Sequence, residues 1–126
     1  MNRAFTNILS SNVESAASFY ENLLGMSRNF NSDWFVLLTH PECPSFEFGI
    51  LDRAHATVPP EIAKPSQGVI VTFVVDDVET TFTKAKELGV KILQPPTDTP
   101  YGQRRLLMKD MDGTAIDVSS PTPREK

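Results

Sequence analysis

The sequence predicts an α+β fold built from two tandem β-α-β-β-β modules. Three observations predict it: a weak internal repeat, strand-like runs flanking each copy, and turn-forming residues between those runs. Residues 12–15, Asn-Val-Glu-Ser, align with residues 77–80, Asp-Val-Glu-Thr, and the register holds to Leu23 over Leu88. After one gap at Leu24, Gly25 meets Gly89.

The first module opens with a strand-like run over 3–10 and a helix near 12–24. Ser11 or the residue after it can cap that helix, with Glu14 in its first turn. Val13, Ala16, Ala17, Tyr20, Leu23 and Leu24 fall on one helical face, and Gly25 suits the left-handed position past the end. Short strands follow at 26–30, 34–39 and 45–51, separated by Asn31-Ser32-Asp33 and by the proline-bounded turn 41–44. Residues 52–67 carry Pro59, Pro60 and Pro65 and read as a linker.

The second module repeats the order. A strand-like run over 68–75 leads into a helix near 77–88, capped by Asp76 or the residue after it, with Glu79 placed like Glu14. Its apolar face is Val78, Phe82, Ala85 and Leu88, although Thr80, Thr81 and Thr83 weaken its propensity. Strands follow at 90–94, 103–109 and 114–119, separated by turns at Pro95-Pro96 and Asp110-Met111-Asp112-Gly113. One module cannot build a core alone, so residues 1–126 are expected to form a single domain. Module 1 covers about 4–51, the linker 52–67, module 2 about 68–120 and a loose tail 121–126.

Composition removes several function classes. The chain has 126 residues, 40% hydrophobic and 22% charged, enough for one core without covalent staples. Its net charge of −4 argues against nonspecific nucleic-acid binding, which needs a surplus of Lys and Arg. Cys43 is the sole cysteine, so there is no intrachain disulfide and no cysteine-built zinc site. The longest strongly apolar stretch, 69–75, is too short to cross a bilayer, and the first residues lack a signal-peptide layout. The expectation is a cytoplasmic protein with no membrane or nucleic-acid partner.

The tandem punctuation resembles the vicinal oxygen chelate superfamily, which includes glyoxalase I, bleomycin-resistance proteins, fosfomycin-resistance enzymes and extradiol dioxygenases. The matching residues are Asn12-Val13-Glu14-Ser15 and then Phe19-Tyr20-Glu21-Asn22-Leu23-Leu24-Gly25. Downstream, Pro100-Tyr101-Gly102-Gln103-Arg104-Arg105 and Asp110-Met111-Asp112-Gly113 resemble the family's Pro-Tyr-Gly-Gln-Arg and Asp-Pro-Asp-Gly signatures. The resemblance implies concave, partly open, barrel-like mixed sheets around a cavity. It is specific for the fold and poor for the reaction, because one fold hosts many sites.

In metal-using members, the resemblance implies, His, Gln or Glu ligands stand on the first and last strand of each module and hold a divalent ion that chelates two substrate oxygens. The corresponding positions here are Phe5, Ile70, Glu47 and Asp117. Neither Phe5 nor Ile70 can coordinate a metal. Two carboxylates without imidazole make a poor Zn, Ni or Fe site, although Mg or Mn can use few protein ligands. The expectation is therefore no metal and no cofactor. His40 and His55 read as solvated loop histidines, and Cys43 as a partly buried small residue rather than a nucleophile. No Gly-rich phosphate loop and no Gly-x-Ser-x-Gly occurs.

Strand alternation extends the candidate site. With Phe5 inward, Asn7 and Leu9 share its face and Thr6, Ile8 and Ser10 turn to the helix; with Ile70 inward, Thr72 joins it and Val69, Val71, Phe73 and Val75 form core. A bulged turn at 110–113 sets Asp117 beside Leu107, with Arg105 and Lys109 on the same face; a two-residue Asp-Gly loop would select Met108, Leu106 and Arg104 instead. The family pattern favours the first. Arg104 reads as a structural ion pair. Either Trp34 or Phe35 faces the cavity, and Tyr101 lies at its rim. The expected ligand-binding set is Phe5, Asn7, Trp34, Glu47, Thr72, Tyr101, Arg105, Leu107 and Asp117.

Three functions compete on this reading. The first is a metal-independent protein that binds a small organic molecule, as bleomycin-resistance proteins do. The second is a glyoxalase-like lyase or isomerase, or a transferase, using Glu47 and Asp117 as base or metal ligands. The third is a structural or regulatory partner without a ligand. An open sheet edge in each module also predicts a homodimer.

Overall fold

The computed structural model describes residues 1–123 and falls into two compact units, Met1–Ser66 and the residues from Gln67 onward. Arg124, Glu125 and Lys126 of the expected tail lie outside the described residues. Each unit contains one helix and one four-stranded mixed sheet, the expected β-α-β-β-β order.

The first unit runs β1 (Thr6–Ser10), α1 (Val13–Leu24), β2 (Ser27–Asn31), β3 (Phe35–His40) and β4 (Cys43–Asp52). Its strand order is β1-β4-β3-β2, with β1 parallel to β4 and the other pairs antiparallel. Asn12 caps α1 by accepting from the Ser15 amide, and Gly25 closes it at φ 70°. The glycine is required there because a Cβ is strained in that region. Val13, Ala16, Ala17, Tyr20 and Leu23 form the buried stripe of α1. They meet Ile8, Val36, Leu38, Phe48 and Ile50 from the sheet, all at most 2% exposed. Tyr20 sits edge-on between Phe19 and Phe48, with ring centroids 5.0 and 5.1 Å away. Arg28 on β2 ties the helix to the sheet edge, bonding Glu14 at 2.7 Å and Glu21 at 2.9 Å. Glu14 is thus held by a cation rather than closing a capping box.

The second unit runs β5 (Ile70–Val74), α2 (Val78–Glu87), β6 (Lys91–Asp98), β7 (Gln103–Lys109) and β8 (Ala115–Pro121). Its order is β5-β8-β7-β6, the same topology. Asp77 caps α2, and Ser120 on β8 accepts from the Val78 amide at 3.1 Å. The buried stripe of α2 is Val78, Thr81 and Ala85. Phe82 and Leu88, expected on that face, are not buried: Leu88 is 42% exposed, and Phe82 carries the Lys86 ammonium 4.4 Å above its ring. The core lies instead in the sheet, on Leu106, Met108, Ile116 and Val118, each fully buried.

Other departures have local causes. Pro95-Pro96 does not stop the chain, because β6 is an edge strand whose outer amides need no partner, and the register simply shifts between Gln94 and Thr97. Val69 is 49% exposed rather than core. Cys43 is exposed. The first part of the linker folds onto its unit: the Arg53 amide donates to the Ser10 carbonyl at 3.1 Å, and Val58 is 7% exposed. The ordered chain also passes Ser120, since Pro121 pairs with Gln103 and the Thr122 amide donates to the Gly102 carbonyl.

Candidate functional site

Each sheet has one face toward its helix and one face away from it, and the register assigns every candidate residue to one of them. In the first unit Ile8 and Ser10 are buried on the helix side while Asn7 is exposed on the other. Asn7 is the register partner of Gly49, whose missing side chain it fills: a Cβ there would lie 2.0 Å from Asn7 Oδ1 and 3.0 Å from a Phe35 ring carbon. Phe5 precedes β1 and is 40% exposed.

Glu47 on β4 is engaged by a residue the alternation argument overlooked. The Arg3 Nε donates to one Glu47 oxygen at 2.7 Å and Arg3 Nη2 donates to the other. The same guanidinium lies 5.0 Å from the centre of the Phe5 ring. Arg3 therefore gathers Phe5 and Glu47 into one cluster. Its hydrogen bonds hold the Glu47 carboxyl below the usual carboxylate range, against the opposing effect of desolvation. Arg3 has the parity of Phe5 and Asn7, so the signal was present, but a cation ahead of the strand reads as solvated until its partner is known.

Trp34 stands immediately before β3, in a different corner. It stacks on His55 with centroids 3.9 Å apart and planes 10° from parallel, and lies 6.1 Å from Phe35. His55 is thus not a free loop histidine. Neither is His40, whose Nε2 is 3.1 Å from the Leu24 carbonyl and whose Nδ1 accepts from the Glu42 amide.

In the second unit the bulged turn holds: Gly113 takes φ 85°, and Leu107 pairs with Asp117, as the odd loop requires. Asp117 is 6% exposed and accepts from Ser119 Oγ at 2.6 Å and Thr72 Oγ1 at 3.1 Å. Arg105 Nε lies 3.5 Å from its second oxygen, too poorly aimed to count as a hydrogen bond. Thr72, Arg105, Leu107 and Asp117 therefore share one face. Arg104 turns the other way, to Asp98 at 2.8 Å and Glu79 at 3.6 Å, the structural ion pairing expected of it. Tyr101 is 65% exposed in the loop before β7.

The topology, the helix punctuation and the two matched carboxylate positions point to one family, and a sequence model agrees: that of the Glyoxalase/Bleomycin resistance protein/Dioxygenase superfamily matches residues 4–118. The chain belongs to this superfamily. No curated protein matches the sequence. Among solved structures, the chain is similar to protein ATC0852 from Agrobacterium tumefaciens at 26% identity, covering 98% of this chain and 99% of that one, with TM-score 0.77. A superfamily member from Sphaerobacter thermophilus DSM 20745 shares 21% identity over 95% and 97% of the two chains, with TM-score 0.75. TnmS3, described as an antibiotic binding protein from Streptomyces sp. CB03234, shares 20% identity over 97% of each chain, with TM-score 0.74.

The metal implied for some superfamily members does not fit these residues. Phe5 and Ile70 offer only hydrocarbon. Glu47 is neutralised by Arg3, and Asp117 spends its oxygens on two hydroxyls beside a guanidinium. Among the described residues no group of three or more His, Cys, Asp or Glu side chains could hold an ion.

Proposed function

We propose that this superfamily member binds a small organic molecule on its open sheet faces without using a metal ion. The observation that carries the reading is the state of the two carboxylates. Both are tied to cations or hydroxyls within their own units, beside exposed apolar side chains such as Phe5 and Ile70. Such surfaces combine apolar contact area with a few oriented polar groups, the composition of a ligand site. On this reading the candidate contacts of the first unit are Phe5, Asn7, Trp34 and Glu47, and those of the second are Thr72, Tyr101, Arg105, Leu107 and Asp117. A structural relative described as an antibiotic binding protein is consistent with it.

Thermal-shift screening against metabolites and antibiotics, with and without chelator, tests the proposal. The expected result is a set of organic hits whose stabilisation ignores the chelator. Stabilisation that requires added divalent metal would favour the lyase, isomerase or transferase alternative, with Glu47 and Asp117 as base or ligands. Glu47→Gln and Asp117→Asn, whose carboxylates are already held by Arg3 and by Thr72 and Ser119, are expected to change the affinity of a hit by less than about ten-fold, the scale of a lost hydrogen bond to a charged group.

The same reading includes a homodimer in the cytoplasm. Each sheet ends in edge strands whose outer backbone groups are open to pairing. Sedimentation at micromolar concentration is expected to give a dimer; a monomer would remove that part. No helix among the described residues is long and apolar enough to cross a membrane.

A further inference from the structure

The open face of the second sheet has a definite charge layout. Register pairs arrange its side chains in rows across β6, β7, β8 and β5. The first row is Lys91, Lys109, Ala115 and Ile70. The second is Gln94, Leu107, Asp117 and Thr72, and the third is Thr97, Arg105, Ser119 and Val74. Three cations stand on this face against a single carboxylate, in a chain whose net charge is −4. The carboxylate is already committed to Ser119 and Thr72.

Two features of this layout have no partner inside the unit. Lys91 and Lys109 are directly opposite each other, an arrangement that destabilises a sheet unless an anion intervenes, and neither has an acidic partner among the described residues. Arg105 is the second. Its Nε is buried and makes no hydrogen bond, resting 3.5 Å from Asp117, while the side chain keeps 24% of its surface exposed. The terminal nitrogens have no partner among the described residues. Asp117 therefore anchors the inner edge of the guanidinium and leaves its outer fork free. A planar fork of N–H donors matches a carboxylate in two-point fashion.

Apolar surface lies within reach. Leu107 is two residues from Arg105 on the same strand, about 7 Å away, and Val74 is two strands over in the same row, about 10 Å away. Ile70 and Val74 are 53% and 71% exposed. We infer that this face selects organic acids: the carboxylate docks on the free fork of Arg105 and an apolar body lies over Leu107, Ile70 and Val74. The inference rests on the ligand-binding reading above and adds the charge of the ligand to it.

The test uses the full chain, labelled with nitrogen-15 and titrated with 3-phenylpropionate, 3-phenylpropionamide and 3-phenylpropylammonium. The acid is expected to bind at least ten-fold tighter than the amide and to move the amide signals of Thr72, Leu107 and Asp117. Arg105→Gln is expected to bring the affinity for the acid down to that for the amide, Arg105→Lys to keep part of the preference, and Lys109→Gln to lower it by a few-fold. If Arg105→Gln does not fold, the wild-type ratio of acid to amide and the Lys109→Gln variant decide. Equal binding of acid and amide, tighter binding of the ammonium, or shifts confined to other surfaces would overturn anion selection and leave the ligand-binding reading standing. Absence of shifts on either open face with all three probes would remove both.

Discussion

The two modules share a topology and differ in where they invest their burial. Aligned by Asn12 and Asp77, Tyr20 of α1 corresponds to Ala85 of α2, and Leu23 to Leu88. Tyr20 is fully buried against Phe48, whereas Ala85 fills its site with a single methyl. Leu23 is 5% exposed and Leu88 42%. The first module thus places large buried side chains on both helix and sheet, and the second places them on the sheet face beneath a helix that contributes small ones. The carboxylates differ in the same sense. Glu47 is held from outside the sheet by Arg3, and Asp117 from within it by Thr72 and Ser119. A duplicated fold can keep its backbone plan while each copy finds a different way to satisfy the same position.

The sharpest way to break this comparison is at the helices. Tyr20→Ala is expected to cost about 3–5 kcal/mol, the scale of deleting a large buried ring, and Leu88→Ala less than about 1 kcal/mol. Urea denaturation of both variants checks it, and equal losses would show that α2 packs as tightly as α1. The carboxylates come next. Asp117→Asn is expected to cost about 1.5–3 kcal/mol because it weakens hydrogen bonds made to a buried charge. Glu47→Gln should change the denaturation midpoint much less, since Arg3 is largely exposed. A larger loss for Glu47→Gln would reverse the proposed contrast.

The glycines serve as a control where the modules should agree. Gly25 and Gly89 both sit at φ 70°, so Gly25→Ala and Gly89→Ala are each expected to cost about 1–2 kcal/mol. Unequal losses in denaturant would mean that one helix end relaxes around the new side chain.

The smallest expected effect is on pH. Hydrogen bonds from Arg28, Arg3 and Arg104 hold Glu14, Glu47 and Asp98 below the ordinary carboxylate range. Their folded values are the lower ones, so their contribution is complete above the unfolded carboxylate range, roughly pH 4. It is lost as pH falls through the lowered folded values. Arg3→Gln should therefore flatten part of the acid limb of a stability-against-pH curve, and added salt should do so too. An unchanged acid limb in that variant would show that the Arg3–Glu47 pair contributes nothing.

Most of the fold was legible in the sequence because its markers are local. Asn12, Asp77, Gly25 and Gly89 act within one helical turn, and alternation set Asn7 opposite Ile8 without knowledge of the partner strand. Pro95-Pro96 misled because a proline pair stops a central strand but not an edge, and edge status is decided by tertiary pairing. The faces that carry the candidate residues were legible, but not the partners of those residues. The face shared by Thr72, Arg105, Leu107 and Asp117 followed from the turn at Gly113. The Arg3–Glu47 bond and the Trp34–His55 stack did not, because each joins residues separated by 21 or more positions through long or planar side chains that no periodicity describes.

That stack gives the protein an optical handle. Trp34 is the sole tryptophan, and its indole lies face to face with an imidazole carried by the segment that follows β4. Contact of this kind alters the emission of an indole, so the light emitted on excitation near 295 nm comes from one place and registers whether residues 53–58 are seated on the first unit. Loosening of that segment, by denaturant or by a bound molecule, becomes visible in unlabelled protein, separately from events in the second unit, which has no indole of its own.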